Sequence, residues 1–113
     1  MWIDSKMFTK NIYILTSGFP DSEKFGLVSQ LRRASVSICS NLAEGSARSS
    51  FKDKAHFTNM AFSSAVEILN QLIISHELGF LSEPNYLAAR NNLEGITNKL
   101  NGLKKYQLSQ INK

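Results

Sequence analysis

Apolar residues return every three or four positions along almost the whole chain, and that spacing admits little besides helices. Phe8, Ile12, Leu15 and Phe19 step by 4, 3 and 4; Leu27, Leu31, Ala34, Ile38 and Leu42 step by 4, 3, 4 and 4. Each set is one face of a 3.6-residue helix. Tyr86, Ala89, Leu93, Ile96, Leu100 and Leu103 step by 3, 4, 3, 4 and 3, the heptad spacing of left-handed bundle packing. The segment between carries two stripes side by side, Ala61–Ala65–Ile68–Leu72 and Phe62–Val66–Leu69–Ile73, widened by Met60 and Ile74. A helix on the outside of an isolated bundle needs an apolar stripe of only about 100°. The doubled stripe therefore predicts self-association, unless it fills the centre of an isolated bundle.

Punctuation separates the four segments. Gly18 and Pro20 end the first, whose NIYIL run taken alone would also suit a strand, and Asp21 or Ser22 can cap the second. Ser50 and Asp53 have the S-x-x-D spacing of a capping box and open the third. Leu78-Gly79-Phe80 has the glycine-then-apolar pattern of a Schellman stop, and Ser82 and Pro84 sit where an N-cap and a first-turn proline belong. The predicted helices are 3–17, 22–47, 51–78 and 83–109, with the tail KKYQLSQINK fraying. Short connections make consecutive helices antiparallel neighbours. The expected fold is all-α, an up-down-up-down antiparallel four-helix bundle formed as a single domain by residues 1–113.

The stretch SVSICSNLAEGSARSS, residues 35–50, carries serine, asparagine and glycine where a helix usually carries leucine or charge. Each serine weakens helix propensity by only a few tenths of a kcal/mol, so packing can carry the helix to about Ala47. Ser37, Asn41 and Gly45 share one small, polar face that another helix could approach closely, and Glu44 and Arg48 form an i,i+4 pair beside it. Beside the Ile38/Leu42 stripe, Glu44 is expected to be partly buried, with Arg33, Arg48, Ser63 or Ser64 as partner. Ser37, Asn41, Glu44, Gly45, Arg33 and Glu67 are read as a polar seam fixing helix register; the alternative is a patch that binds a ligand or nucleic acid.

With 42% hydrophobic and 19% charged residues, the 113-residue chain has a globular composition and the size of one domain. The lone cysteine, Cys39, cannot form an internal disulfide; it reads as a small buried hydrophobe in a reducing compartment. No apolar run approaches the roughly 18 residues of a membrane span, and MWIDSKMFTK lacks the apolar core of a signal peptide. A cytoplasmic protein with no membrane partner is expected.

The net charge of +4 is unevenly placed. Residues 1–54 hold eight Lys/Arg against five Asp/Glu, residues 55–97 hold one against four, and residues 98–113 hold four against none. In an antiparallel bundle the ends of helices two and four share a pole, so Arg48, Lys52, Lys54, Lys104 and Lys105 can form one basic rim. These five are the candidate nucleic-acid-binding residues, and phosphate contacts of this kind are salt-dependent and largely sequence-independent. No helix-turn-helix, RRM or zinc-finger signature accompanies them.

Catalysis is not expected. A di-iron bundle needs a carboxylate-x-x-His pair on each of two helices. This chain offers one, Asp53–His56, plus the scattered Glu44, Glu67 and Glu94. His76 sits among apolar positions and reads as a core or interface histidine, and the glycines form neither a dinucleotide fingerprint nor a P-loop. No cofactor or metal is expected, although a small-ligand or metal-binding bundle stands as a lesser alternative to a binding or scaffolding module.

The segment FPDSEKFGLVSQLRRASVSICSNLAEGSAR, residues 19–48, resembles the signature of bacterial four-helix-bundle proteins encoded in 23S ribosomal RNA intervening sequences. Phe19, Pro20, Glu23, Leu27, Gln30, Arg32, Arg33, Ala34, Ser37, Ile38, Asn41, Ala43, Glu44, Gly45 and Arg48 match it, as do Phe57, Ala61, Ser64, Glu67, Leu72 and Leu78–Leu81 downstream. Cys39 departs where many members carry proline, Ser63 replaces a usual glycine, Lys54 an aromatic and Phe62 a basic residue. The resemblance implies a homopentamer of undefined biochemical role. A related family, the accessory proteins of diversity-generating retroelements, implies RNA or DNA as a partner, with a protein partner as the alternative.

Overall fold

A computed structural model describes residues 1–111. Four helices follow one another: α1 (Trp2–Thr16), α2 (Ser29–Ser46), α3 (Phe51–Glu77) and α4 (Glu83–Gln110). Each packs on its sequence neighbours, and α1 also packs on α4, which closes a four-helix bundle measuring 51 × 23 × 20 Å. There is no strand among the described residues; NIYIL lies within α1.

The core follows the sequence stripes with specific shifts. Leu31, Ala34 and Ile38 of α2, Ala61, Ala65, Ile68 and Leu72 of α3, and Leu93, Ile96 and Leu100 of α4 are all buried together. Leu15, Leu27 and Leu42 sit half-buried at its edges. On α1 the position expected of Leu15 goes to Thr16, whose hydroxyl donates to the Ile12 carbonyl (2.7 Å) and accepts from Arg32 Nε (3.0 Å). A fully hydrogen-bonded threonine can occupy a core position at little cost. The second stripe of α3 resolves in the same way: Phe62, Leu69 and Ile73 pack against the core from its margin, and Val66 stays half exposed.

The starts of α3 and α4 and the end of α3 match their chemistry, whereas neither Asp21 nor Ser22 caps helix two, because both lie inside a 3-10 turn that opens after Pro20 without a side-chain cap. Ser50 Oγ accepts from Asp53 N at 3.1 Å, and Ser82 Oγ accepts from Asn85 N at 3.3 Å. At the end of α3, Gly79 adopts φ +82° while Phe80 N donates to Ser75 O (2.9 Å) and Gly79 N to His76 O (3.0 Å), a complete Schellman motif.

Two expectations are corrected. Helix two does not run unbroken from 22 to 47. One turn of 3-10 helix (Asp21–Glu23) and a widened turn (Lys24–Val28) precede α2, because Gly26 takes φ −108° and ψ −113°, outside the helical region. The tail does not fray after Leu103. Gln107 is buried and its Oε1 accepts from Thr58 Oγ1 at 2.8 Å, which holds α4 helical to Gln110. The last two residues of that tail lie outside the described residues.

Candidate nucleic-acid interface

The five cations of the expected rim come from the α2–α3 connection, α3 and α4, and helix length decides how they meet. At 15 residues, α1 is little more than half as long as α3 and α4, with 27 and 28. Its first turn meets α4 at Lys99, through an ion pair between Lys99 Nζ and Asp4 Oδ2. Beyond that level the bundle is built from the end of α2, the start of α3 and the end of α4. Arg48, Lys52, Lys54, Lys104 and Lys105 all fall at this three-helix pole.

They are not equivalent there. Lys54 Nζ donates to the carbonyls of Gly45 (3.4 Å) and Ser46 (3.3 Å), so it closes the C-terminus of α2. That satisfies carbonyls a helix end leaves unpaired and places a cation at the negative end of its dipole. Lys104 Nζ donates to Asn59 Oδ1 at 2.9 Å. Arg48 pairs with Glu44 at 3.1 Å and lies 4.8 Å from the Phe57 ring centroid. Lys52 and Lys105 are exposed and make no ion pair among the described residues. Of these five cations two are thus free, two are lightly held, and Lys54 is committed to the fold.

A feature not singled out in the sequence lies among them. Where α1 stops short, a groove of about 280 Å³ opens between α2, α3 and α4, with Leu42, Gly45, Phe51, Leu103 and Tyr106 in its walls. Phe51 and Tyr106 meet edge to face, with centroids 6.0 Å apart and planes at 82°. Tyr106 remains exposed, in the segment Lys104-Lys105-Tyr106. Read along the chain alone, that segment looks like an ordinary helix tail; the groove is what sets its tyrosine beside the lysines at an open surface.

The polar seam assembles between α2 and α3. Asn41 Nδ2 donates to the carbonyl (2.9 Å) and hydroxyl (3.1 Å) of Ser37, and Ser64 Oγ of α3 lies 3.0 Å from Ser37 Oγ. Gly45 allows a close approach: a Cβ there would stand 3.1 Å from Phe57 Cβ. Farther along, Arg33 pairs with Glu67 at 2.6 Å, and buried Gln71 donates to both Gln30 (3.3 Å) and Glu67 (3.4 Å). Glu44 is the exception. Its side chain is 58% exposed and its ion-pair partner is Arg48, because position 44 faces outward from α2; the expected partial burial is corrected. Ser63 is exposed and takes no part in the seam.

Other chemistry does not collect at this pole. His76 stacks on Tyr86, with centroids 4.4 Å apart and planes at 11°. Half-buried Cys39 sits 3.5 Å from Thr9 Oγ1. Among the described residues no three His, Cys, Asp or Glu side chains gather where they could hold a metal. Among the same residues, no helix is long and apolar enough to cross a membrane.

A four-helix bundle with a hydrogen-bonded α2–α3 seam and a basic pole is the class of molecule these features define. The family model of the 23S rRNA-intervening sequence proteins matches residues 1–102, and the chain belongs to that family. A crystal structure from Bacteroides thetaiotaomicron, a protein of unknown function from the S23 ribosomal protein family, has the same fold. It superposes with a TM-score of 0.83 at 21% identity, over 92% of this chain and 97% of that one. No curated protein matches.

Proposed function

We propose that the protein is a non-catalytic assembly module that self-associates and uses its three-helix pole to contact nucleic acid. The observation that carries the nucleic-acid part is the gathering of five cations, from the α2–α3 connection, α3 and α4, at the pole that also holds exposed Tyr106, where Glu44 and Asp53 are the acidic groups that oppose them. Lys52 and Lys105 reach phosphates, Arg48 and Lys104 follow by exchanging weak intramolecular partners, and Tyr106 offers a face on which a base stacks. Exposed apolar residues support self-association; the family resemblance implies five copies, which would repeat the pole and turn weak contacts into useful avidity.

Electrophoretic shift against ribosomal RNA fragments at two salt concentrations tests this reading. The expected result is binding at low salt that weakens steeply as salt rises, with Lys52→Ala and Lys105→Ala each lowering the log–log salt slope by about 1. Tyr106→Ala should weaken binding to single strands and leave that slope unchanged. An absence of any shift at low salt rules the nucleic-acid role out.

A further inference from the structure

Phe25 is the most exposed large apolar side chain among the described residues, at 89%. Its presentation is built into the backbone. Glu23 accepts from Leu27 N, Gly26 leaves the helical region, and a Cβ on Gly26 would stand 3.0 Å from Glu23 Oε1. The widened turn packs Val28 into the core and leaves Phe25 turned outward. The Lys24 ammonium lies 5.6 Å from its ring centroid.

A separate groove of about 260 Å³ lies between α3 and α4, with Phe62, Val66, Leu69 and Leu93 as its apolar walls and Arg90 and Glu94 beside them. A cavity of about 150 Å³ suffices for benzene. Leu87, three residues before Arg90 and exposed, extends the apolar surface along the same face. Knob and groove each carry one charge of either sign, so opposite charges can be paired across a contact. Lys24 and Asp21 flank the turn that carries Phe25, while Glu94 and Arg90 flank the groove, and none of the four is in an ion pair among the described residues.

We propose that Phe25 of one copy seats in the α3–α4 groove of a second copy, with Lys24 against Glu94 and Asp21 against Arg90. This deepens the self-association put forward above and rests on it. The contact is head-to-tail: each copy keeps a free knob on one side and a free groove on the other, so copies add until a ring closes. Burying one phenylalanine removes on the order of 200 Å², a sizeable share of the roughly 800 Å² per partner of a standard interface.

Light scattering on the full chain, with circular dichroism as the folding control, tests it. The wild type is expected to exceed the 12.6 kDa of one chain severalfold. Phe25→Asp and Val66→Glu should each stay helical and fall to the monomer mass; Asn98→Trp, which fills the groove from its exposed rim, serves if Val66→Glu does not fold. The two defective chains retain one good surface each, a groove on the first and a knob on the second. Mixed one to one, they should form capped heterodimers of twice the chain mass, which an isologous contact would not produce. A Phe25→Asp protein of wild-type mass, or folded monomers that do not pair on mixing, overturns the head-to-tail contact while self-association stands. A monomeric wild type removes both readings.

Discussion

At the scale of single residues, two glycines illustrate how the same residue type answers to different constraints. Gly45 is a contact residue: any side chain would push on Phe57 Cβ and approach the Lys54 carbonyl at 3.7 Å. Gly45→Leu should lower stability by about 1–3 kcal/mol through overpacking, read as a fall in chemical-denaturation midpoint. Gly102 lies inside α4, and a methyl group added to it would meet nothing within 4 Å. Gly102→Ala should raise stability by about 0.5–1 kcal/mol, since only the entropic cost of a helical glycine is removed. A Gly45→Leu protein with an unchanged or raised midpoint would mean that the close α2–α3 contact at Gly45 is wrong. The seam around Gly45 is partly legible in the sequence, because four-residue spacing puts Ser37, Asn41 and Gly45 on one face in any helix. The exposure of Glu44 is not, because a one-position error in placing a stripe's edge decides whether a carboxylate meets core or water.

At the scale of elements, α1 is tied to α4 near its own N-terminus. The Asp4 carboxyl is held below its ordinary pKa, first by the hydrogen bond from Lys99 and then by that ammonium's charge. A carboxyl depressed in the folded state favours folding above its ordinary pKa, and that contribution is lost as pH falls through the lowered value. Asp4 is open to solvent, so the effect belongs to the local docking of α1 more than to global stability. In Lys99→Ala the Asp4 carboxyl should titrate at higher pH, followed by NMR of its side-chain carbon. An unchanged titration would mean that Lys99 does not hold it. The Arg33–Glu67 pair is likewise solvent-accessible on both sides, at 62% and 40%, and is worth at most about 1 kcal/mol. The α2–α3 contact therefore depends on Leu31, Ala34, Ile38 and their partners, with the seam setting register.

At the scale of the whole molecule, large apolar side chains stand exposed on several elements. Ile3, Met7 and Ile14 on α1, Phe25 before α2, and Val66, Leu78 and Leu87 on α3, its exit and α4 are all exposed. Scattered exposed apolar residues are normal, but grooves rimmed by them mark contact surfaces. The proposed self-association would stabilise the folded state by mass action, so apparent Tm should rise with protein concentration across a hundredfold range. A calorimetric scan that gives one Tm at every concentration would indicate a monomer. Phe25→Asp should abolish the dependence if the head-to-tail contact is the one that forms.

The sequence by itself determined the four α-helices, their order, the caps of α3 and α4 and most of the core, because these depend on spacing and on interactions within a few positions. Ser50, Gly79 and Ser82 act through their immediate neighbours, and a 3.6-residue period leaves the buried faces little freedom. Tertiary structure alone decided which cations are free. Lys52 and Lys54 are two residues apart, yet one is in solvent and the other closes α2, a contact that exists only once α2 and α3 are side by side. It also decided that a short α1 leaves a groove beside Tyr106, and that the turn at Gly26 leaves Phe25 facing water. Each of these is set by where one helix ends relative to another, and a periodic pattern carries no information about that distance.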